Sequence, residues 1–356
     1  MPRSGSAAEE TAMPKASRLL LPLVLLLAAC GGSDGDASPH DGDGGGGDTL
    51  IGDHVPAPRG PTRPATLPAA LVDCAAGDGT LDGRFLAPNG ETPVAGAFVY
   101  IASGDCWAGT DQAGRFSAKG VPAGETTVRA EKGLFRAEAN GAPGTALRLR
   151  LQADAARIAY VAGSFDAVQF LLDSLGFAPE QITEDDLPTA RLADFDAIFL
   201  NCGMAEYHAF DDDALDALRA WVEGGGVLYT SDWAEIYVKQ AFPGRVHFRD
   251  PDPRAGKDGE REATVHDEGF LRALGRSDAL IEFDSAMWAV IDSVPESTRV
   301  LVRGPVELFD GTDYGDRPYM VQFDVGEGRV TYTSFHYEAM PSPDMLTILE
   351  QLIFRL

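Results

Sequence analysis

Apolar positions change their period twice along the chain. An unbroken apolar run at 19–29 follows Lys15 and Arg18. It is too short for a bilayer span, which takes about 20 residues, and its basic-then-apolar layout is that of a signal peptide. Met13 opens this leader more tightly than Met1 and is the predicted true start. From 71 to 152, apolar and polar residues alternate in short stretches, at 80–85, 97–101 and 126–130, broken by Gly and Pro. A period of two with frequent turn residues predicts an antiparallel β-sandwich.

From 155 the period switches. A buried-strand pattern at 157–161 is followed by Val168, Leu171, Leu172 and Leu175 at helical spacing. A second strand pattern at 195–200 precedes a helix opened by Asp211, Asp212 and Asp213, with Leu215, Leu218, Trp221 and Val222 on one face and Gly224, Gly225 and Gly226 behind it. Carboxylates at the start and glycine past the end suit the helix dipole and a C-terminal cap. A strand at 227–230 and a helix at 234–241 continue the alternation, which predicts a doubly wound, mostly parallel sheet. The pattern loosens at 250–262, predicting a long insertion. It resumes with a helix at 268–274, strands at 288–291 and 298–303, a hairpin at 319–334 turning at Glu327 and Gly328, and a closing helix with Leu346, Leu349, Leu352, Ile353 and Leu356 on one face. The chain therefore reads as multidomain: 1–29 signal peptide, 30–70 linker, 71–152 β-sandwich and 155–356 α/β.

Composition changes this picture in two places. The chain has 356 residues and a formal net charge of −26, which opposes phosphate binding and excludes a nucleic-acid partner. Gly and Asp, then five prolines, crowd residues 31–68 with little to bury, which predicts a flexible tether.

Residues 27–31 read Leu-Ala-Ala-Cys-Gly and resemble the bacterial lipobox. That resemblance implies cleavage before Cys30, lipidation of its thiol, and a membrane-anchored, exported lipoprotein at the outer membrane or the periplasm-facing envelope, where disulfides persist. The sandwich region, through Pro93 to Ala97, Thr110 to Phe116 and 121–124, resembles the carboxypeptidase regulatory-like domain, a transthyretin-like accessory module. Cys74 and Cys106 share this region and are the expected disulfide; two buried free thiols are the rival reading. The order of 195–200, 221–228 and 328–336 resembles the class I glutamine amidotransferase-like domains, especially the trehalose-utilisation-like branch. That resemblance implies a nucleophile at a sharp strand-to-helix turn and a His-x-Glu after a late strand, which fall here on Ser231, His336 and Glu338.

A serine becomes nucleophilic only with a base in reach, and the base needs a carboxylate to hold its tautomer. Two features of the turn oppose this chemistry. It lacks the flanking glycines of a nucleophile elbow, and Asp232 sets a negative charge beside a developing oxyanion. Cys202, ending a strand, lies one strand too early for the nucleophile and reads as a structural cysteine. His266 with Asp267 and Glu268 suggests a metal, as does His336 with Glu338 and Asp232, but neither has known ligand geometry, and Asp267 is as well explained as a helix N-cap. No His or Cys recurs at zinc-ligand spacing, so neither metal nor cofactor is expected. Asp232, Trp233 and Tyr337 are the candidate ligand cleft at the carboxyl ends of the strands, with the aromatics Tyr237, Trp288, Tyr314 and Tyr332 as further candidate lining.

The expected function is thus binding or scaffolding, with a glycan, a peptide or an envelope protein as partner and the membrane held through the lipid. The alternative is a hydrolase of peptides, amides or esters. Replacing Cys30 with Ser is expected to move the protein from the membrane to the soluble fraction or leave it uncleaved. An unmodified Cys30 in the intact mass of the processed protein contradicts the lipobox reading.

Overall fold

The computed structural model describes residues 61–337 and 341–356. The leader, Cys30, the first part of the linker and Glu338 lie outside the described residues. Eight strands fill the first folded region: β1 (Leu71–Asp73), β2 (Gly79–Leu86), β3 (Phe98–Ile101), β4 (Cys106–Gly109), β5 (Arg115–Val121), β6 (Thr126–Lys132), β7 (Phe135–Gly141) and β8 (Ala146–Arg150). They form two four-stranded sheets, β1-β5-β2-β8 and β4-β3-β6-β7; β1 joins β5 and β2 joins β8 in parallel, so the antiparallel expectation holds for the other pairings only. The alternation read from the sequence is the reason: Leu81 and Phe85 of β2 and Phe116 and Ala118 of β5 share one core with Val99 and Ile101 of β3 and Val128 and Ala130 of β6. A disulfide joins Cys74, just past β1, to Cys106 at the start of β4. It closes a loop of 32 residues and so links the two sheets, an effect worth about 3–4 kcal/mol in the chain-entropy account.

The second region runs β9 (Ile158–Val161), α1 (Val168–Leu175), β10 (Glu180–Ile182), β11 (Ala197–Leu200), α2 (Asp212–Glu223), β12 (Val227–Ser231), α3 (Glu235–Ala241), β13 (His247–Phe248), β14 (Arg254–Gly256), β15 (Gly259–Val265), α4 (Glu268–Leu274), β16 (Asp278–Phe283), β17 (Trp288–Ala289), β18 (Ile291–Ser293), β19 (Arg299–Glu307), β20 (Asp313–Val325), β21 (Gly328–Thr333) and α5 (Pro343–Ile353). Nine strands make one sheet in the order β10-β9-β11-β12-β21-β20-β19-β15-β16. Its first four pairings are parallel and its last four antiparallel. The expectation of a mostly parallel sheet therefore holds for one half only. The other half is built from hairpins, and the insertion predicted at 250–262 is ordered into β14 and the start of β15.

Helices cover both faces of this sheet. The side chains of α1 and α5 pack with Ala197, Phe199 and Tyr229, whereas those of α2 and α3 pack with Ile198, Leu200 and Leu228. Successive residues of a strand point to opposite faces, so β11 and β12, buried at every position, serve both layers.

The described residues form a single compact unit, because the strand-rich region docks on α1 and α5. Asn89 bridges to the end of α1, its N–H to the Leu175 carbonyl at 2.9 Å and its amide to that of Ser174 at 2.9 Å. Gly176 ends that helix in the left-handed conformation, with φ at 87°. A side chain there meets the Asn89 backbone at 2.5 Å, so glycine is required twice over. Leu134 N–H donates to the carbonyl of Leu356 at 2.6 Å, and Phe135, Phe177 and Phe354 make a three-ring cluster. Phe354→Ala is expected to cost about 3–5 kcal/mol, and calorimetry should show the strand-rich and α/β regions melting in one transition. Two well-separated transitions contradict this docking.

Candidate functional site

Strands β9, β11, β12 and β21 are adjacent and mutually parallel. Their carboxyl ends therefore emerge side by side at the edge where open α/β sheets bind ligands. The residues just beyond them are Asp166, Cys202, Asp232 and His336. Gly163 sets the spacing, since a Cβ there would lie 2.0 Å from the Cys202 carbonyl oxygen. The backbone N–H groups of Ser164 and Phe165 donate across to Gly203 and Cys202, each at 3.2 Å.

Ser231 is the last residue of β12 and is fully buried. Its backbone is extended, with φ at −123°. Its hydroxyl donates to Asp166 Oδ2 at 2.5 Å and accepts from the Cys202 N–H at 3.0 Å. Asp166, 3 % exposed, uses its other oxygen to accept from the N–H groups of Val168 at 3.1 Å and Tyr337 at 3.2 Å. Burial pushes the Asp166 carboxyl up, against the opposing pull of His336, of the Ser231 hydroxyl and of the Ala167 and Tyr337 amides. The serine thus ties three strand ends together, and its single proton is directed at Asp166.

The sharp turn expected at Ser231 falls one residue later. Asp232 has φ at 41°, a conformation that is strained for a non-glycine residue by about 1–3 kcal/mol. Asp232 Oδ1 accepts from the Ala289 N–H at 2.6 Å, and Oδ2 accepts from the Cys202 thiol at 3.4 Å. Nε2 of His336 lies 3.7 Å from the same oxygen. Burial alone lowers the His336 pKa, but the nearby carboxylates of Asp232, Asp166 and Asp284 outweigh it and leave it raised. The Cys202 thiol is pushed far up by burial and by Asp232. A carboxylate can itself act as a nucleophile. Here both oxygens are engaged, and the cavity beside Asp232 and His336 measures about 20 Å³, room for a single water-sized group.

The other candidates are dispersed. Tyr337 enters through its backbone, its carbonyl accepting from Ala167 N–H at 2.9 Å. Trp233 stacks edge-on with Phe165 at 5.4 Å under the guanidinium of Arg254 at 4.7 Å. Arg254, from β14, also reaches Glu235 at 3.1 Å and Glu206 at 2.5 Å. Tyr237, Trp288 and Tyr332 are core side chains. Asp267 caps α4, accepting from Gly269 and Phe270, and pairs with Arg355. Asp166 and Arg254 are the residues that sequence reasoning missed. Asp166, just ahead of α1, carried a weak signal as a helix-start acid.

No family model matches the chain, and no curated protein matches it. Among solved structures it is similar to a ThuA-like protein from Bacteroides uniformis at 14% identity, covering 56% of this chain and 90% of that one with a TM-score of 0.43. It is also similar to a putative GMP synthase component from Thermoplasma acidophilum at 12% identity, 56% and 94% coverage and a TM-score of 0.40. A cytoplasmic protein from Salmonella typhimurium matches at 12% identity, 56% and 96% coverage and a TM-score of 0.38.

The site has a measurable electrostatic signature. With its folded pKa raised, His336 contributes stability that is fully present below its unfolded pKa and is lost as pH rises through the folded value. Asp232→Asn removes one of the raising carboxylates, so the His336 ring resonances in NMR should titrate at lower pH than in the parent. An unchanged midpoint contradicts the pairing.

Proposed function

We propose that this chain is an exported, lipid-anchored protein of the bacterial envelope. Its α/β region, on the plan of the class I glutamine amidotransferase-like domains, binds or scaffolds without hydrolysing. The leader and the lipobox-like 27–31 support the anchor, and the Cys74–Cys106 disulfide is compatible with export. One observation carries the rest of the reading. The Ser231 hydroxyl is buried and committed to Asp166 and the Cys202 amide, while the turn position holds a carboxylate.

Ligand contact falls instead to the rim. Phe165 is 47 % exposed and forms with Trp233 an aromatic ledge beside Arg254. Such a ledge suits the apolar face of a sugar ring or an aromatic peptide side chain, with charge alongside for a polar group.

A fluorophosphonate probe tests the claim against hydrolysis directly. The purified protein should remain unlabelled, and Ser231→Ala should lose stability by about 1–3 kcal/mol, as expected when a buried carboxylate loses a donor. Labelling of Ser231 that disappears in His336→Ala would hand the case to the serine hydrolase.

A further inference from the structure

The three strand ends bring together side chains that no sequence spacing connects. Cys202 Sγ, a carboxylate oxygen of Asp232 and a ring nitrogen of His336 lie within 4.8 Å of one another, and all three residues are buried. Within this group, Sγ is 3.4 Å from Asp232 Oδ2, and His336 Nε2 is 3.7 Å from the same oxygen. Ligand atoms bound at about 2.0–2.3 Å to a tetrahedral ion stand roughly 3.3–3.6 Å from each other. These two separations are close to the edges of such a tetrahedron, and the third, between Sγ and the imidazole, is within 4.8 Å. The cavity of about 20 Å³ touching Asp232 and His336 supplies the volume for one further, water-sized ligand.

We infer that Cys202, Asp232 and His336 form a binding site for a divalent cation of the zinc class, with three protein ligands and one open position. The donor set selects this class. A thiolate and an imidazole favour zinc and its borderline neighbours, whereas calcium and magnesium take oxygen ligands. Charge is consistent as well: a dication balances the thiolate and the Asp232 carboxylate, with His336 neutral. Binding exchanges protons for metal. The Cys202 thiol proton and any proton on the His336 imidazole leave to solvent as the metal–sulfur and metal–nitrogen bonds form, and nothing is oxidised or reduced. The neighbouring contacts hold the ligands in place: the Ala289 N–H fixes the Asp232 carboxylate at 2.6 Å, and the Ser231 hydroxyl fixes the Cys202 backbone at 3.0 Å. Such outer contacts orient metal ligands. The inference stands independently of export and of the ligand at the aromatic ledge.

The test uses the full chain, stripped with a chelator and titrated with cobalt(II) and then zinc. Cobalt should give one equivalent of tetrahedral d–d absorption together with a near-ultraviolet thiolate charge-transfer band, and zinc should displace both. Cys202→Ala, a small and apolar replacement in a buried position, should abolish the charge-transfer band, and Asp232→Asn should weaken affinity at least about 10-fold. Circular dichroism on each variant separates loss of metal from loss of fold. Should either variant unfold, the parent's zinc-dependent rise in Tm and its charge-transfer band still decide. Failure of the parent to bind cobalt, octahedral spectra without sulfur, or a charge-transfer band that survives in folded Cys202→Ala overturns the inference.

Discussion

A buried carboxylate organises the centre of the α/β region. Asp166 is nearly enclosed, and an ionised group taken out of water must be met by donors or opposite charge. One partner is local, the Val168 amide two residues along at the start of α1. The others come from separate parts of the chain: the Ser231 hydroxyl at the end of β12, the Tyr337 amide beyond β21, and the charge of His336. These reach Asp166 only if β9, β12 and β21 run parallel with their carboxyl ends level. The strand order of the sheet and the satisfaction of this one side chain are the same requirement.

The geometry around Ser231 is a consequence of that requirement. Ser231 faces inward to serve Asp166, so β12 continues through it in extended form and the reversal of direction falls on Asp232. That residue accepts a strained backbone, and its carboxylate is held by the Ala289 amide while it faces both Cys202 and His336. Hydrolytic chemistry needs a hydroxyl free to attack and amides free for an oxyanion. In this arrangement the hydroxyl is a tie and the turn side chain is an anion.

The elements were largely legible in the sequence because their signals are local. The spacing of Val168, Leu171, Leu172 and Leu175 is the buried face of α1, and Asp267 is the cap of α4. The pairing of Cys74 with Cys106 was readable from their shared small region. Of the antiparallel half, the 319–334 hairpin of β20 with β21 was legible; the pairing of β15, β16 and β19 was not, since hairpin strands and parallel strands share one alternating pattern until their partners are known. Nor did the sequence distinguish Ser231 from Asp232 as the turn residue, because a positive φ at a non-glycine position leaves no compositional mark. Asp166 escaped notice because its meaning lies in a contact 65 residues away. Arg254 sits in a stretch whose polarity reads as loop, although it joins Glu206 and Glu235.

A double-mutant cycle on Ser231→Ala and Asp166→Asn, read by chemical denaturation, tests most directly whether the Ser231 hydroxyl is a structural tie. If it is, the two substitutions couple by about 1–3 kcal/mol, because each removes the same interaction. Additive losses, within about 0.3–0.5 kcal/mol, would mean that the two side chains act independently and that the serine is available for other chemistry.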